Sequence, residues 1–164
     1  MTPSVIIAFD PGVNGAYAAY WPEEPAALIA ADFPTVNGTL DVYTLAKAVA
    51  GLMDPGDNPF AVVEGVHSMP GQGVSSTFKF GTAFGMIQGI LAGYAIPTTL
   101  VSPSSWKRHH GIPAGSDKEA SRALALRLFP GTDYFARKKD HGRAEATLLA
   151  LYAAHRLYGF GEAA

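Results

Sequence analysis

At 164 residues, 48% of them hydrophobic, the chain can bury one sizeable core and is short for two ordinary domains; one domain over 1–158 and a loose tail over 159–164 are expected. It contains no cysteine, which excludes disulfides and thiolate metal sites. The net charge of −2 hides a division: residues 1–103 carry two basic residues, Lys47 and Lys79, against eight acidic ones, while residues 104–156 carry ten basic against five acidic. A face built from the second half either meets a polyanion or is an ordinary solvated surface.

The start, Met1-Thr2-Pro3-Ser4, lacks the basic residues and apolar run of a signal peptide, so a cytoplasmic location is expected. Val5–Phe9 is apolar, β-branched or aromatic, and too short for a helix, so it reads as a buried strand ending in Asp10. Pro11-Gly12 and Asn14-Gly15 are turn pairs, and Ala16–Tyr20 resumes the apolar character, giving a hairpin with a carboxylate at its mouth. Ala26–Phe33 is expected as a third strand, followed by a loop at Pro34 and Asn37-Gly38.

Leu40–Met53 has helical apolar spacing and stops at Asp54-Pro55-Gly56-Asp57. Phe60–Val63 is a fourth strand, and Glu64 follows it directly. After a loop, Ser75 or Ser76 is expected to cap a helix reaching Tyr94. Its stretch Phe80–Ile96 is uncharged and long, but four glycines, Thr82 and Gln88 favour a buried helix of a globular domain over a membrane span. Gly81, Gly85, Gly89 and Gly93 form one stripe, expected to pack tightly on the sheet or to serve as a dimer seam.

Pro97–Val101 is a fifth strand, and Pro103–His110 a short basic helix or turn containing Trp106. Ser116 and Glu119 have the separation of a capping box for the next helix, which ends before Pro130-Gly131. A basic connection over 132–140 leads to a last helix that Asp140 can cap. Three strands joined by short turns predict a meander, and the later strands, alternating with helices, predict parallel pairing in a mixed α/β sheet.

Asp10 and Glu64 share one context, an apolar strand ending in an acid and then a glycine-containing loop. If both strands are central and parallel, the acids emerge at one sheet edge, where they repel unless a cation lies between them. Mg²⁺ takes a few carboxylates together with waters and phosphate oxygens. His141 and Glu145, four apart on the last helix, add a further arm. Each acid alone also suits a turn or a cap, and His141 alone suits the first turn of a helix.

Five segments then carry a family resemblance: Phe9-Asp10-Pro11-Gly12 with Gly15; Val62-Val63-Glu64; the Gly81–Gly89 helix; Ser116-Asp117-Lys118; and Asp140-His141-Gly142-Arg143-Ala144-Glu145-Ala146. Together they resemble the RuvC-type Holliday-junction resolvases of the RNase H-like superfamily, the last segment looking most like phage and bacterial relatives. The resemblance covers residues 5 to about 155. It implies an α/β RNase H-like fold with a five-stranded mixed sheet flanked by helices. It also implies a homodimer that resolves four-way DNA junctions by paired, two-metal phosphodiester hydrolysis with Mg²⁺, for which Mn²⁺ substitutes. Asp10, Glu64 and Glu145 fall on the metal-binding acids, and Lys118 on a lysine beside the scissile phosphate. Loop 67–78 falls on the junction-probing segment, with Gln72 or Phe78 against an unstacked base. Lys79, Lys107, Arg108, Arg137, Lys138, Lys139 and Arg143 are expected on the DNA face. Family members commonly carry a second acid three residues before the last one. That position is Gly142 here, so His141 is expected as fourth ligand, with Asp140 the alternative.

Two other classes fit parts of the chain. A kinase- or actin-like ATPase uses a similar strand, aspartate and glycine-rich turn, but needs two such domains. A non-catalytic binder of branched DNA would use the basic half, yet gains nothing from carboxylates near phosphates.

Overall fold

Val5–Asp10 forms β1, whose alternation assigns the two layers of the molecule. Val5, Ile7 and Phe9 enter one core and Ile6 and Ala8 the other, as successive strand side chains must. The coordinates are a computed structural model describing residues 1–12, 15–65 and 73–161. β2 (Ala16–Tyr20) pairs antiparallel with β1, and β3 (Leu28–Asp32) antiparallel with β2, so the expected meander is present. Gly15 is required where the hairpin closes: a Cβ there would lie 2.3 Å from the Phe33 ring and 2.8 Å from the Asp10 carbonyl oxygen.

The loop expected after β3 contains a small hairpin, β4 (Thr35–Val36) and β5 (Thr39–Leu40). Asn37 and Gly38 both have positive φ, 51° and 73°, as a two-residue hairpin turn of the primed type requires. Asp41 caps α1 (Val42–Ala50), its Oδ1 accepting from the Thr44 N–H at 3.1 Å.

β6 (Pro59–Glu64) lies parallel to β1, and β7 (Thr98–Val101) parallel to β6. The five-stranded sheet therefore runs β3-β2-β1-β6-β7, with β1 at its centre. α2 (Val74–Gly93) starts at Gly73 with no side-chain cap, so Ser75 and Ser76 fall inside its first turn rather than before it. Only Ile87, Ile90 and Leu91 of α2 are buried, which corrects the expectation of a buried helix. A Cβ at Gly81, Gly85, Gly89 or Gly93 would meet nothing within 4 Å, so the glycine stripe is not packed on the sheet. Among the described residues no helix is long and apolar enough to cross a membrane.

α3 (Pro103–His109) is capped by Ser102 and buries Trp106. α4 (Lys118–Leu128) is capped by Asp117, whose Oδ1 accepts from the Ala120 N–H at 3.2 Å. The expected Ser116–Glu119 box does not form, because Glu119 grips the Arg122 guanidinium at 2.6 and 2.9 Å. A 3₁₀ turn (Lys138–Asp140) leads into α5 (His141–Tyr152), which continues as a π-helical turn over Ala153–Leu157.

α5 packs on the face of the sheet that carries Ile6, Ala8, Ala16, Ala18 and Ala30. It presents Gly142, Ala144, Ala146 and Ala150 among its buried residues. Small side chains on both surfaces let helix and sheet approach closely, which brings side chains of α5 to the strand ends. The opposite face of the sheet is covered by α1 and α2 through Leu45, Val49, Ile87 and Leu91.

Candidate active site

Strand parity selects which acids meet. Ile6 and Ala8 face α5, so Asp10, two residues further, faces it too. In β6, Val62 faces α5 while Ala61 and Val63 face away, so Glu64 also points to the α5 side. Phe9 is paired with Val63, which ends the two strands with Asp10 and Glu64 as neighbours. Glu145 stands on α5 over the same edge. The sheet and one helix thereby bring together the three acids named from the sequence.

The electrostatics reflect their burial and their mutual charge. Burial, reinforced by the charges of Glu64 and Glu145, pushes the Asp10 carboxyl up to about 7, against the pull of the Gly12 N–H and Lys118. Burial and Glu145 raise Glu64 as well, opposed by the Trp106 N–H and Lys107. Each acid has a fixed partner. Asp10 Oδ1 accepts from the Gly12 N–H at 3.1 Å. Glu64 Oε2 accepts from the Trp106 indole N–H at 3.0 Å. Glu145 Oε1 meets Lys107 Nζ and the Ser121 hydroxyl, both at 3.4 Å.

A cluster of hard carboxylate oxygens short of positive charge suits a divalent cation such as Mg²⁺ or Mn²⁺ in chemistry. Among the described residues no three His, Asp or Glu side chains already stand as a ligand set. His141 Nε2 lies 3.3 Å from Lys118 Nζ, and Lys118 in turn acts on Asp10. His141 thus sits beside the lysine at the margin of the acids.

Asp140, expected as the cap of α5, stands at that position but makes no cap bond. Its oxygens accept instead from the Arg137 backbone N–H at 2.8 Å and from the Arg137 guanidinium at 2.7 and 3.0 Å. Burial works against ionisation there, yet the hydrogen bonds from Arg137 hold Asp140 below the ordinary carboxylate range. Arg143 makes a two-pronged pair with Asp32, 2.8 Å on each arm. Arg137 reaches the same Asp32 at 3.7 Å. Arg137 and Arg143, expected on a DNA face, are therefore engaged in an ion network tying the start of α5 to the end of β3.

The other expected DNA-facing residues are dispersed. Lys138, Lys139, Arg108, Lys79 and Phe78 are exposed, Phe78 at 74%. Lys107 belongs with the acids through Glu145. Gln72 and residues 67–71 of the expected probing loop lie outside the described residues. A groove of about 810 Å³ runs between the β4–β5 hairpin and the first half of α2, with Phe78, Lys79 and Lys139 on its walls and Pro11-Gly12 at one end. Trp106, Ser121 and Asp32 were not singled out from the sequence. The apolar neighbours of Trp106 mark it only as core, and nothing local signals its acceptor 42 residues away.

The sheet order β3-β2-β1-β6-β7, with helices on both faces, is that of the RNase H-like fold of RuvC. A structure of T. thermophilus RuvC in complex with Holliday junction substrate matches at a TM-score of 0.69 and 16% identity, covering 96% of this chain and 98% of that one. A second Thermus thermophilus RuvC structure matches at 0.62 and 15% identity, covering 92% and 95%. In sequence the chain is 37% identical over 127 residues to the chloroplastic Holliday junction resolvase MOC1 of Chlamydomonas reinhardtii. That alignment takes in 72% of this chain but spans only 14% of the relative. No family model matches the chain.

Proposed function

We propose that this chain, as a single nuclease domain over residues 1–158, is a divalent-cation-dependent endodeoxyribonuclease that resolves four-way DNA junctions by paired phosphodiester hydrolysis. The observation that carries this is the convergence of Asp10, Glu64 and Glu145 on one sheet edge, where burial, reinforced by the charges of Glu64 and Glu145, pushes the Asp10 carboxyl up to about 7. The sequence relative and one of the fold neighbours, both described by Holliday junctions, favour that substrate. Asp10, Glu64 and Glu145 would hold the cation, Mg²⁺ with Mn²⁺ able to replace it, and His141 is the fourth donor we assign. The bound cation would supply Lewis acidity at the scissile phosphate and draw attacking and leaving oxygens into line.

The chain's own residues do the rest. Lys118, which acts on Asp10, is placed to steady charge building on the phosphate. Lys107 holds Glu145 in place. Lys79, Lys138, Lys139 and Arg108 are exposed to meet backbone phosphates. A junction cut on two strands needs two sites related by a twofold axis, so a homodimer is part of the reading. The open glycine stripe of α2 favours that helix as the seam. The compartment must hold DNA, and a bacterial or phage-infected cytoplasm is our assignment.

Labelled four-way, three-way and linear duplex DNA, incubated with Mg²⁺ and with EDTA, tests the proposal. Symmetric paired nicks in the four-way junction, lost in EDTA and in Asp10→Asn or Glu64→Gln with binding retained, are expected. Binding without nicking at any divalent ion would leave a junction-binding protein instead.

A further inference from the structure

We infer that Trp106 is a positioning residue of the nuclease site: its indole N–H fixes one oxygen of Glu64 so that the other is turned toward the cation. This rests on the reading of Asp10, Glu64 and Glu145 as the cation's ligands. Trp106 is fully buried at 0% exposure, and its Nε1 lies 3.0 Å from Glu64 Oε2. A buried indole N–H needs an acceptor, and the one it takes is the carboxylate ending β6.

The donor is neutral, which matters at a cation site. A lysine or arginine in the same place would orient Glu64 but also cancel the charge that attracts the cation. The indole restricts the rotamer of Glu64 and leaves its charge intact. The same ring serves a second acid. Lys107 Nζ lies 5.1 Å from the centre of the Trp106 ring and 3.4 Å from Glu145 Oε1. Two consecutive residues of α3 thus address carboxylates from two different elements, β6 and α5. Partners of metal-binding side chains commonly set affinity by tenfold to a hundredfold when removed.

Trp106→Phe keeps an aromatic ring in the core and deletes the donor together with part of the indole's bulk, so a 3-benzothienylalanine variant is the closer isostere. Mn²⁺ affinity is measured without DNA, by calorimetry and by the loss of the free-ion signal in electron paramagnetic resonance. We expect it to weaken by about tenfold or more. The Mg²⁺ concentration for half-maximal junction cleavage should rise by a similar factor, while junction affinity in EDTA stays unchanged. The chain holds two tryptophans, so Trp21→Phe assigns the indole N–H resonances. The Trp106 resonance should move as Mg²⁺ is added without DNA. Should Trp106→Phe fail to fold, 3-benzothienylalanine at position 106 keeps the tryptophan shape and replaces the N–H with sulfur. Unchanged Mn²⁺ affinity in either folded variant, or an unmoved resonance on a saturated site, overturns the role of Trp106. A wild-type chain that binds no Mn²⁺ overturns the metal reading along with it.

Discussion

Asp10→Asn should stabilise the fold in the absence of divalent cations and end cleavage in their presence. Asp10 lies among like charges and low-polarity surroundings, which raise its carboxyl from the ordinary 3.8 to about 7. A carboxyl raised in the folded state contributes full stability below the unfolded value and loses it as pH climbs through the folded one. At roughly 1.4 kcal/mol per pH unit, that displacement sets a ceiling of about 4 kcal/mol. Solvent reaches part of the side chain at the strand end, so about 2 kcal/mol is the expected share at pH 8. Urea unfolding in EDTA at pH 5 and pH 8 captures the part lost above pH 5, about 1 kcal/mol. The wild type should lose stability between the two, and Asp10→Asn should lose less, gaining roughly 5 °C in Tm at pH 8. Added Mg²⁺ should then stabilise the wild type and leave the variant unmoved. An asparagine variant less stable than wild type at pH 8 would refute the idea that repulsion and burial dominate at Asp10.

His110 is driven the other way: burial lowers it from 6.5 to about 4, with its Nε2 2.7 Å from the Leu148 carbonyl. It should remove up to about 3 kcal/mol of stability as pH falls from 6.5 to 4, and His110→Gln should flatten that fall in a urea series. Asp140→Asn should lower Tm by several degrees, since both oxygens serve Arg137, whereas His141→Ala should leave Tm within a degree or two and lose cleavage. Stable, fully active His141→Ala would remove this histidine from the site. Lys138→Ala with Lys139→Ala should make the log–log salt slope of junction binding shallower by up to about 2, with junction preference unchanged. Gly89→Leu faces open space in one copy, so a monomer by sedimentation with an undiminished Tm is expected if α2 is the seam; an intact dimer would place the seam elsewhere.

Much of the fold was legible because its signals are local. The run into Asp10 and the run into Glu64 each show a short apolar strand with an acid at its end, and parity then fixes the face. The β4–β5 hairpin was missed because strands of two residues have no period to read, although Asn37-Gly38 carried its turn. The cap of α4 fell to Asp117 rather than Ser116 because Glu119 had a stronger partner in Arg122 one turn on. The glycine stripe of α2 was visible, but whether it met the sheet or solvent depended on how α2 lies, which no spacing reveals. Trp106 stayed hidden for the same reason: its acceptor is 42 residues away and is set by where α3 follows β7.

The ion pairs around α5 explain why adjacent residues, Asp140 and His141, have different work. Asp140 is closed by Arg137, and Arg143 and Arg137 together reach Asp32 at the end of β3. This network holds the first turn of α5 against the meander without drawing on the charges of the cluster. Glu145, one turn later, then lies over the ends of β1 and β6 with Lys107 and Ser121 as its partners. The cluster itself is left with three carboxylates and with Lys107 and Lys118 as the cations that act on them. An excess of negative charge remains, and Asp10 absorbs it by holding its proton near neutral pH. Proton and divalent cation are alternative answers to the same repulsion. A site relieved by either should therefore take up metal more weakly as pH falls below 7, with a proton displaced for each ion bound.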